Sequence, residues 1–407
     1  MTETQPARPT GQDNDKPAVI LAERLDTTRG SLIHLAFRWL DRFPPRNQLG
    51  CTKLYVASVV LTFGILVVVG ASPDRSLLLH AQGSVRVPLL YDWNLLFMFL
   101  VSFPCLVILA ATDPQILTSA LRTALSDRTI EISAEGQDSL ACEWTKRFRN
   151  YNLSGEILGA IIGLLVVYGN YRAYVDNPAG LWITYYDQLL PVGWVFLFCM
   201  WLFYAVVTVY VVRNLMIALL LRAIVANKDT KVHILPLHPD KAGGLRPVGY
   251  LGLRNQYALT LFGFNVVLLL VVSQYLNKNE FLIGLLVAAV VAYVVVGPIV
   301  FMAPLLPFRK AMREEKASLM SGIAKRAGAK LKELRQQPLE EAISKEDEEL
   351  IDRLRKISAA IDELPVWPFD ADTLRKFLTA YAFPIIAAAF PVAKTVLTAF
   401  NIKLPFF

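Results

Sequence analysis

Long apolar stretches alternate with polar connections along most of this chain. Six of them approach or exceed the roughly 20 residues that a helix needs to cross about 30 Å of hydrocarbon. They are Leu54–Ala71, Leu90–Ala111, Leu153–Tyr171, Leu189–Val212, Tyr257–Leu276 and Phe281–Phe308. Because a backbone in lipid must satisfy its own hydrogen bonds, each is predicted to be a helix. The predicted fold class is therefore all-α, a polytopic membrane helix bundle with six spans.

A further apolar stretch near the C-terminus, Phe377–Phe400, contains Pro384, Pro391 and Lys394. Three placements are open: a kinked seventh span, a re-entrant segment, or a helix buried at the interface. The stretch is long enough to cross if the Lys394 amine reaches the headgroups. A full seventh crossing is the placement that we expect.

Positive charge is confined to alternate connections. Eight Lys and Arg residues lie in 1–53, five in 113–152, seven in 213–255 and fifteen in 309–376. The intervening connections 72–89, 172–188 and 277–280 hold two, one and one. Because cytoplasmic loops carry the excess of Lys and Arg, this pattern predicts a cytoplasmic N-terminus. We expect a multi-pass protein of a bacterial plasma (inner) membrane, with an anionic inner leaflet as the partner of the basic flanks.

The polar regions divide the chain into five parts. Residues 1–17 are predicted to be a disordered tail, 18–50 a cytoplasmic or interfacial amphipathic helix region, and 51–308 the six-span domain. Residues 309–364 are predicted to form a cytoplasmic helical hairpin, and 365–407 the Pro-broken apolar segment. In the second part, Ser31–Phe43 has apolar residues at helical spacing. That helix lies either on the inner leaflet or against the protein's own cytoplasmic face.

The hairpin prediction rests on charge and periodicity. Arg309–Arg335 has nine basic and three acidic residues, whereas Glu340–Glu363 has nine acidic and four basic. The second half also has apolar residues at alternating spacings of four and three, a coiled-coil-like seam about two heptads long. These are Leu350, Leu354, Ile357, Ile361 and Leu364. A cytoplasmic protein partner could bind through 309–364.

Polar and helix-bending residues inside the spans are the candidate pore positions. They are Glu156, Asn265, Gln274, Pro298, Pro384 and Pro391. Glu156 either reaches the interface or lines a polar cavity, and Asn265 is either an interhelical hydrogen-bond partner or a transport ligand. Gly155, Gly159 and Gly163 form a doubled GxxxG pattern that allows close helix packing, within the chain or between copies.

The most motif-like connection is His233–Gly249. One interpretation is an anion or headgroup loop formed by His238, Asp240, Lys241, Gly243, Gly244 and Arg246. Glycine amides and cationic side chains suit a phosphate. A second is a site for catalysis or a metal at His233, His238 and Asp240. A third is a structured turn with solvated charges, which we prefer.

Other classes of chemistry lack support in the sequence. The four cysteines, Cys51, Cys105, Cys142 and Cys199, form no CxxC pair. We therefore expect neither a zinc site nor disulfides, and no cofactor. The net charge of +7 comes from residues beside membrane ends, without a nucleic-acid-binding motif. Phosphate-loop, dinucleotide-binding and hydrolase signatures are absent from the sequence, so we expect no enzyme.

Two functions remain. The first is a passive channel or transporter for a small solute or ion, suggested by short outer loops and Pro-bent helices. The second is a non-catalytic scaffold or sensor that acts through the cytoplasmic helices. A homo-oligomer is expected in either case.

Overall fold

The computed structural model describes residues 19–40, 50–71, 87–176, 182–185, 188–235, 238–240, 242–272, 280–336, 345–363 and 366–399. The predicted disordered tail 1–17, Lys241 and Gln274 lie outside these residues. The described chain is helical almost throughout. In chain order the helices are α1 Ile20–Arg24, α2 Leu32–Leu40, α3 Gly50–Ala71, α4 Trp93–Ser126, α5 Ala134–Asp176, α6 Pro191–Ala226, α7 Arg246–Val272, α8 Glu280–Met302, α9 Leu306–Gln336, α10 Lys345–Asp362 and α11 Ala371–Ala399.

Short elements complete the fold. A 3₁₀ turn, Leu89–Tyr91, precedes α4. Strand β1, Ile130–Glu131, pairs antiparallel with β4, Lys231–Val232, and β2, Thr184–Tyr185, pairs with β3, Gln188–Leu189. The β1–β4 pair joins the connections that follow α4 and α6.

Five described helices are long and apolar enough to cross a membrane, namely α3, α4, α5, α6 and α7. A sixth is added if Leu286–Met302 and Leu306–Leu334, which meet at a bend of 50°, count as one broken span. Pro304 lies in the turn between the two helices and Pro307 in the first turn of α9. Because proline cannot donate a backbone hydrogen bond, a bend is expected there. A membrane-embedded all-α protein is thus supported.

The helices α4, α5 and α6 extend well beyond their apolar stretches. They contain 34, 43 and 36 residues, or about 51, 65 and 54 Å at 1.5 Å per residue. Their halves on the predicted inner side form one hydrophobic cluster with α1, the start of α7 and the first turns of α9. Leu220, Leu221 and Ile224 of α6 are completely buried in it. The same cluster includes residues of the other long helices and, from the polar tail, Met312, Ile361 and Phe369, so both cover the projecting end of α6.

The glycine stripe of α5 packs against α6 of the same chain. A Cβ atom at Gly159 would lie 2.8 Å from the Ala205 carbonyl oxygen, and one at Gly163 would lie 2.8 Å from Trp201 Cδ1. At Gly155 the nearest atom would be Val212 Cγ1 at 3.1 Å. These glycines allow the two longest helices to approach closely, which supplies van der Waals contact in place of a hydrophobic driving force.

The C-terminal helix α11 runs parallel to α7 along most of its length. Near the start of both helices, the Arg246 guanidinium lies 3.4 Å from the Asp370 carboxylate. Further along, Thr260 Oγ1 donates to the Ala380 carbonyl at 3.0 Å. Towards the far end, Ala388 is buried with Leu270 and other residues of α7 and α8. Pro384 and Pro391 lie inside α11 without ending the helix.

The helices α9 and α10 form an antiparallel hairpin. Lys330 Nζ is 2.8 Å from Asp347 Oδ1, and Lys316 Nζ is 3.6 Å from Asp362 Oδ1. The predicted heptad seam is only partly covered: Ile361 is buried, whereas Leu350 and Ile357 are 42% and 48% exposed. The hairpin therefore leaves an apolar strip on its surface.

Candidate functional site

Polar side chains meet where four spanning helices leave their apolar stretches on the predicted inner side. Asp113 follows the stretch of α4, Asn152 and Glu156 flank the start of the stretch in α5, Arg213 follows that of α6, and Arg254 precedes that of α7. We call these five residues the charge layer. Because their helices pack side by side, residues near the same end of each apolar stretch lie at a similar height along the axis of the bundle.

The centre of the charge layer is a buried ion pair. Arg213 Nη2 lies 3.7 Å from Asp113 Oδ2, and the two side chains are 2% and 4% exposed. Arg213 Nη1 donates to the Thr27 carbonyl at 3.0 Å and to Asn152 Oδ1 at 3.2 Å. Isolated charges are very costly to bury, so this guanidinium depends on its carboxylate and carbonyl partners.

A second arginine closes the layer from α7. Arg254 Nη2 donates to the Leu109 carbonyl at 2.8 Å and to Thr112 Oγ1 at 2.9 Å. Both acceptors lie on α4, within one turn of Asp113. Two guanidinium groups and one carboxylate therefore occupy the contact between α4, α6 and α7.

Several polar atoms of this region are buried without a hydrogen-bond partner among the described residues. They are Arg213 Nε, Arg254 Nε, Glu156 Oε2 and Thr27 Oγ1, whereas Arg213 Nη2 and Asp113 Oδ2 meet only across the 3.7 Å of their ion pair. Buried polar groups are nearly always hydrogen bonded, because each unpaired one costs about 1–3 kcal/mol. Their concentration at one level marks the charge layer as the candidate functional site.

The N-terminal segment is bound directly to the charge layer. Asn152 Nδ2 donates to the carbonyl oxygens of Thr27 and Arg29, both at 3.0 Å. Gly30 then turns the chain with a φ of +78°, and a Cβ atom there would lie 2.9 Å from Arg149 Cγ. A residue with a side chain would be strained at this turn.

Glu156 binds the start of α2. Its Oε1 atom accepts from Ser31 Oγ at 2.9 Å and from the Ile33 amide at 3.2 Å. A carboxylate at a helix N-terminus is favourable, because the free amides and the helix dipole attract negative charge. Glu156 therefore acts as a cap for α2 that is supplied by another helix.

His34 lies behind this cap, where Ser31 Oγ is 3.0 Å from its Nδ1 atom. Burial, reinforced by the positive charge of Arg213, lowers the pKa of His34 from 6.5 to about 3. The imidazole is therefore neutral at neutral pH.

The predicted pore positions nearer the middle of the bundle lie in helix contacts. Asn265 Nδ2 donates to Ser102 Oγ at 2.6 Å and to the Leu261 carbonyl at 2.9 Å, and Asn265 Oδ1 is buried without a partner in the described chain. Ser102 ends a π-helical turn in α4, Met98–Ser102. A similar turn, Val60–Gly64, occurs in α3. Such turns are frequent at functional sites.

The predicted prolines divide between two places. Pro384 lines an apolar pocket of about 210 Å³ between α7, α8 and α11, together with Gly263 and Tyr293. Pro298 lies in α8 next to Gly297, which contacts the Tyr381 ring. The predicted polar positions therefore do not come together at one site in the described chain.

The loop between α6 and α7 is organised by Asp240. Its Oδ1 atom accepts from the amides of Ala242 and Gly244, both at 2.9 Å, and its Oδ2 atom accepts from the Arg246 amide at 3.1 Å. Burial by itself would raise the pKa of Asp240, but these amides and His238 hold it below its usual value. Gly243 and Gly244 have φ values of +67° and +88°, which only glycine adopts readily.

The amides that an external anion would use are therefore already hydrogen bonded to a carboxylate of the same loop. The Arg246 side chain also has acidic neighbours, Asp370 and Asp372. The anion or headgroup site stays a prediction.

The two histidines of this loop have separate partners. His238 Nδ1 is 2.8 Å from Asp240 Oδ1, and His238 Nε2 is 3.5 Å from Asp127 Oδ2. His233 lies 3.2 Å from Glu315 and 3.4 Å from Glu131. Within the described ranges, no three His, Cys, Asp or Glu side chains are grouped so that they could hold a metal ion.

Sequence reasoning named Glu156 but missed the other four residues of the charge layer, because they stand at the ends of apolar stretches. Arg213 and Arg254 count among the seven basic residues of the 213–255 connection, yet both side chains are buried. The available signal was one polar residue at the inner end of each of four neighbouring stretches. No family model, curated protein or solved structure matches this chain.

Proposed function

We propose that this protein is a membrane conduit, a channel or transporter for a small solute or ion, whose inner entrance is the charge layer. The observation that carries the proposal is the cluster of buried ionisable groups at Asp113, Arg213 and Arg254, in which Arg213 Nε and Arg254 Nε have no hydrogen-bond partner among the described residues. Ionisable residues inside membrane bundles are expensive, and they usually mark ion or substrate pathways and proton relays.

The proposed topology has seven spans, α3 to α8 and α11, with a cytoplasmic N-terminus in a plasma membrane. The direction of α11 supports this count. If the hairpin is cytoplasmic, α7 and α11 must both start on the cytoplasmic side, and the two helices do run parallel. Glycine and proline on the facing surfaces, Gly263 and Pro384, allow α11 to pack closely against its neighbours.

The test is a flux measurement on the purified full chain in liposomes. Ion-specific currents or solute uptake above empty liposomes are expected. Asp113→Asn keeps the shape of the side chain but removes its charge, so it should change the rate or the selectivity. Asp229→Asn, in the connection that follows α6, is the control. Inert liposomes across common ions and small solutes would refute the conduit.

The hairpin favours a second candidate, a scaffold or sensor. Leu331, Leu350 and Ile357 are 50%, 42% and 48% exposed on helices outside the proposed spans. Large apolar side chains on such a surface suit a protein partner or a second copy of the chain. Two results together would favour this function over the conduit. The protein would form an assembly only when the hairpin is present, and the cell would tolerate a variant that has lost flux.

A further inference from the structure

An apolar stripe on α2 points away from the protein. Leu32, Leu35 and Trp39 are 64%, 58% and 57% exposed and recur at helical spacing. The other side of α2 carries buried His34 and partly buried Phe37, whose rings meet edge to face with centroids 5.6 Å apart. The helix is therefore amphipathic within the folded chain, and the large apolar side chains of its outer face are more than half exposed.

Two contacts set the depth of α2. Glu156, which binds the Ile33 amide, lies only three residues into the apolar stretch that begins at Leu153. Phe37 packs against the hydrophobic cluster of the membrane half of the bundle, which includes Leu54 of α3. The stripe is thus held at the level where the spans enter the inner leaflet.

The positive charges on and beside α2 indicate which kind of surface its apolar stripe would bind. Arg38 is exposed on the helix and Arg29 is exposed just before it. An apolar stripe flanked by basic side chains fits the interface of an anionic phospholipid bilayer, where apolar burial and electrostatic attraction add.

The same segment is tied to the charge layer. Arg213 and Asn152 both donate to the Thr27 carbonyl, and Glu156 accepts from Ser31. Only three residues, 28–30, separate these two attachment points. A movement of α2 relative to the membrane would therefore displace the Thr27 carbonyl, to which Arg213 donates. The ion pair of Arg213 with Asp113 does not involve this segment.

We propose that α2 is an interfacial helix that binds the anionic lipid surface, and that its position in this interface affects the contacts of the charge layer. This inference rests on the proposed conduit for its effect on transport, whereas the lipid contact stands without it. Binding of lipid to the stripe would favour the bound position of residues 27–31, so transport would respond to the anionic lipid content of the inner leaflet.

The first measurement reports lipid contact and needs no transport. The full chain, with the exposed Cys51 and Cys142 replaced by Ser, carries an environment-sensitive probe at Leu35→Cys. Lipids brominated near the headgroup are expected to quench this probe, more strongly when phosphatidylglycerol is added to phosphatidylcholine. The matched control is Glu23→Cys on α1, which is exposed but outside the stripe. An unquenched probe at Leu35, or cross-linking of Leu35→Cys between two copies, would overturn the lipid assignment.

The second measurement reports the coupling. Flux of the wild-type chain should change as the phosphatidylglycerol content rises, and the Leu35→Ser/Trp39→Ser double variant should lose that dependence. Arg38→Gln, which keeps the apolar stripe, should lose part of it. If flux is the same at every phosphatidylglycerol content and in all of these variants, the coupling is refuted but the conduit is not. Quenching without any flux would refute the conduit while leaving the lipid-binding helix intact.

Discussion

The charge layer and the α9–α10 hairpin use the same residue types under opposite conditions. In the charge layer, the side chains of Arg213 and Asp113 are 2% and 4% exposed. In the hairpin, those of Lys356 and Asp352 are 77% and 56% exposed, although their charged atoms are only 2.7 Å apart. The shorter ion pair is the exposed one.

The distance between the charged atoms alone therefore says little about how much an ion pair contributes to the stability of the fold. Exposed pairs gain little, because water and salt screen them and two flexible side chains must be ordered. A buried pair need not stabilise the fold relative to apolar residues, but removal of one partner leaves an uncompensated buried charge. The charge layer should thus be sensitive to single substitutions, and the hairpin should tolerate them.

The largest expected effect is that of Arg213→Met. The substitution leaves the Asp113 carboxylate buried without its charge partner, so we expect a loss of about 3–5 kcal/mol in the free energy of unfolding. Denaturant unfolding of the full chain in mild detergent measures it. The Arg213→Met/Asp113→Leu double variant should recover much of the loss. A single variant as stable as the wild type would contradict the assigned ion pair.

A smaller effect is expected at the α5–α6 contact, which borders the charge layer. For Gly159→Ala we expect a loss of about 1–3 kcal/mol, because the added methyl would meet the Ala205 carbonyl oxygen at 2.8 Å and force the helices apart. The matched control is Gly169→Ala on the same helix, where an added Cβ has open space. Equal stability of the two variants in the same unfolding assay would show that close packing here is unimportant.

The pH dependence of stability tests the burial of His34. Its pKa of about 3 lies below the ordinary 6.5, so below pH 6.5 the unfolded chain binds a proton that the folded chain does not. Stability should therefore fall as the pH drops from 6.5 towards 3, with a limiting slope of about 1.4 kcal/mol per pH unit from this group. Thermal unfolding of wild type and His34→Gln should differ in slope over this window. If wild type and variant have the same dependence of stability on pH, the side chain of His34 is exposed to water and not buried.

The smallest effect is expected in the hairpin. Lys356→Ala removes one partner of an exposed i,i+4 pair, so the midpoint of thermal unfolding should stay within experimental error of the wild type. Arg353→Ala, from the exposed pair with Glu349 on the same helix, should behave alike. A loss comparable to that of Arg213→Met would remove the contrast between the two regions.

The fold was largely predictable because lipid-spanning helices have a strong one-dimensional signature. Apolar length identifies α3 to α7, and Pro304 and Pro307 mark the bend before α9. The GxxxG pattern indicated a close contact, but only the structure identified α6 as the partner of Gly159.

The candidate site was not predictable to the same degree. From their positions, Arg213 and Arg254 count as charges of a connection, because a charge at the end of an apolar stretch usually reaches the headgroups. For Glu156 the sequence left two positions open, the interface or a polar cavity, and capping of α2 was not among them. Both outcomes have one cause: on the predicted inner side α4 to α7 continue as a covered bundle, so these side chains meet protein where a loop would have offered water.

The sequence by itself determined where this chain can be helical, that several stretches are apolar enough to lie in lipid, and which connections carry positive charge. These properties depend on local composition and on the length of hydrocarbon to be crossed. The tertiary structure alone decided that Asp113, Arg213 and Arg254 share one buried level, and that the N-terminal segment closes it. Those contacts join residues 100 or more positions apart, and their energy depends on exclusion of water by neighbouring helices, which no local pattern records.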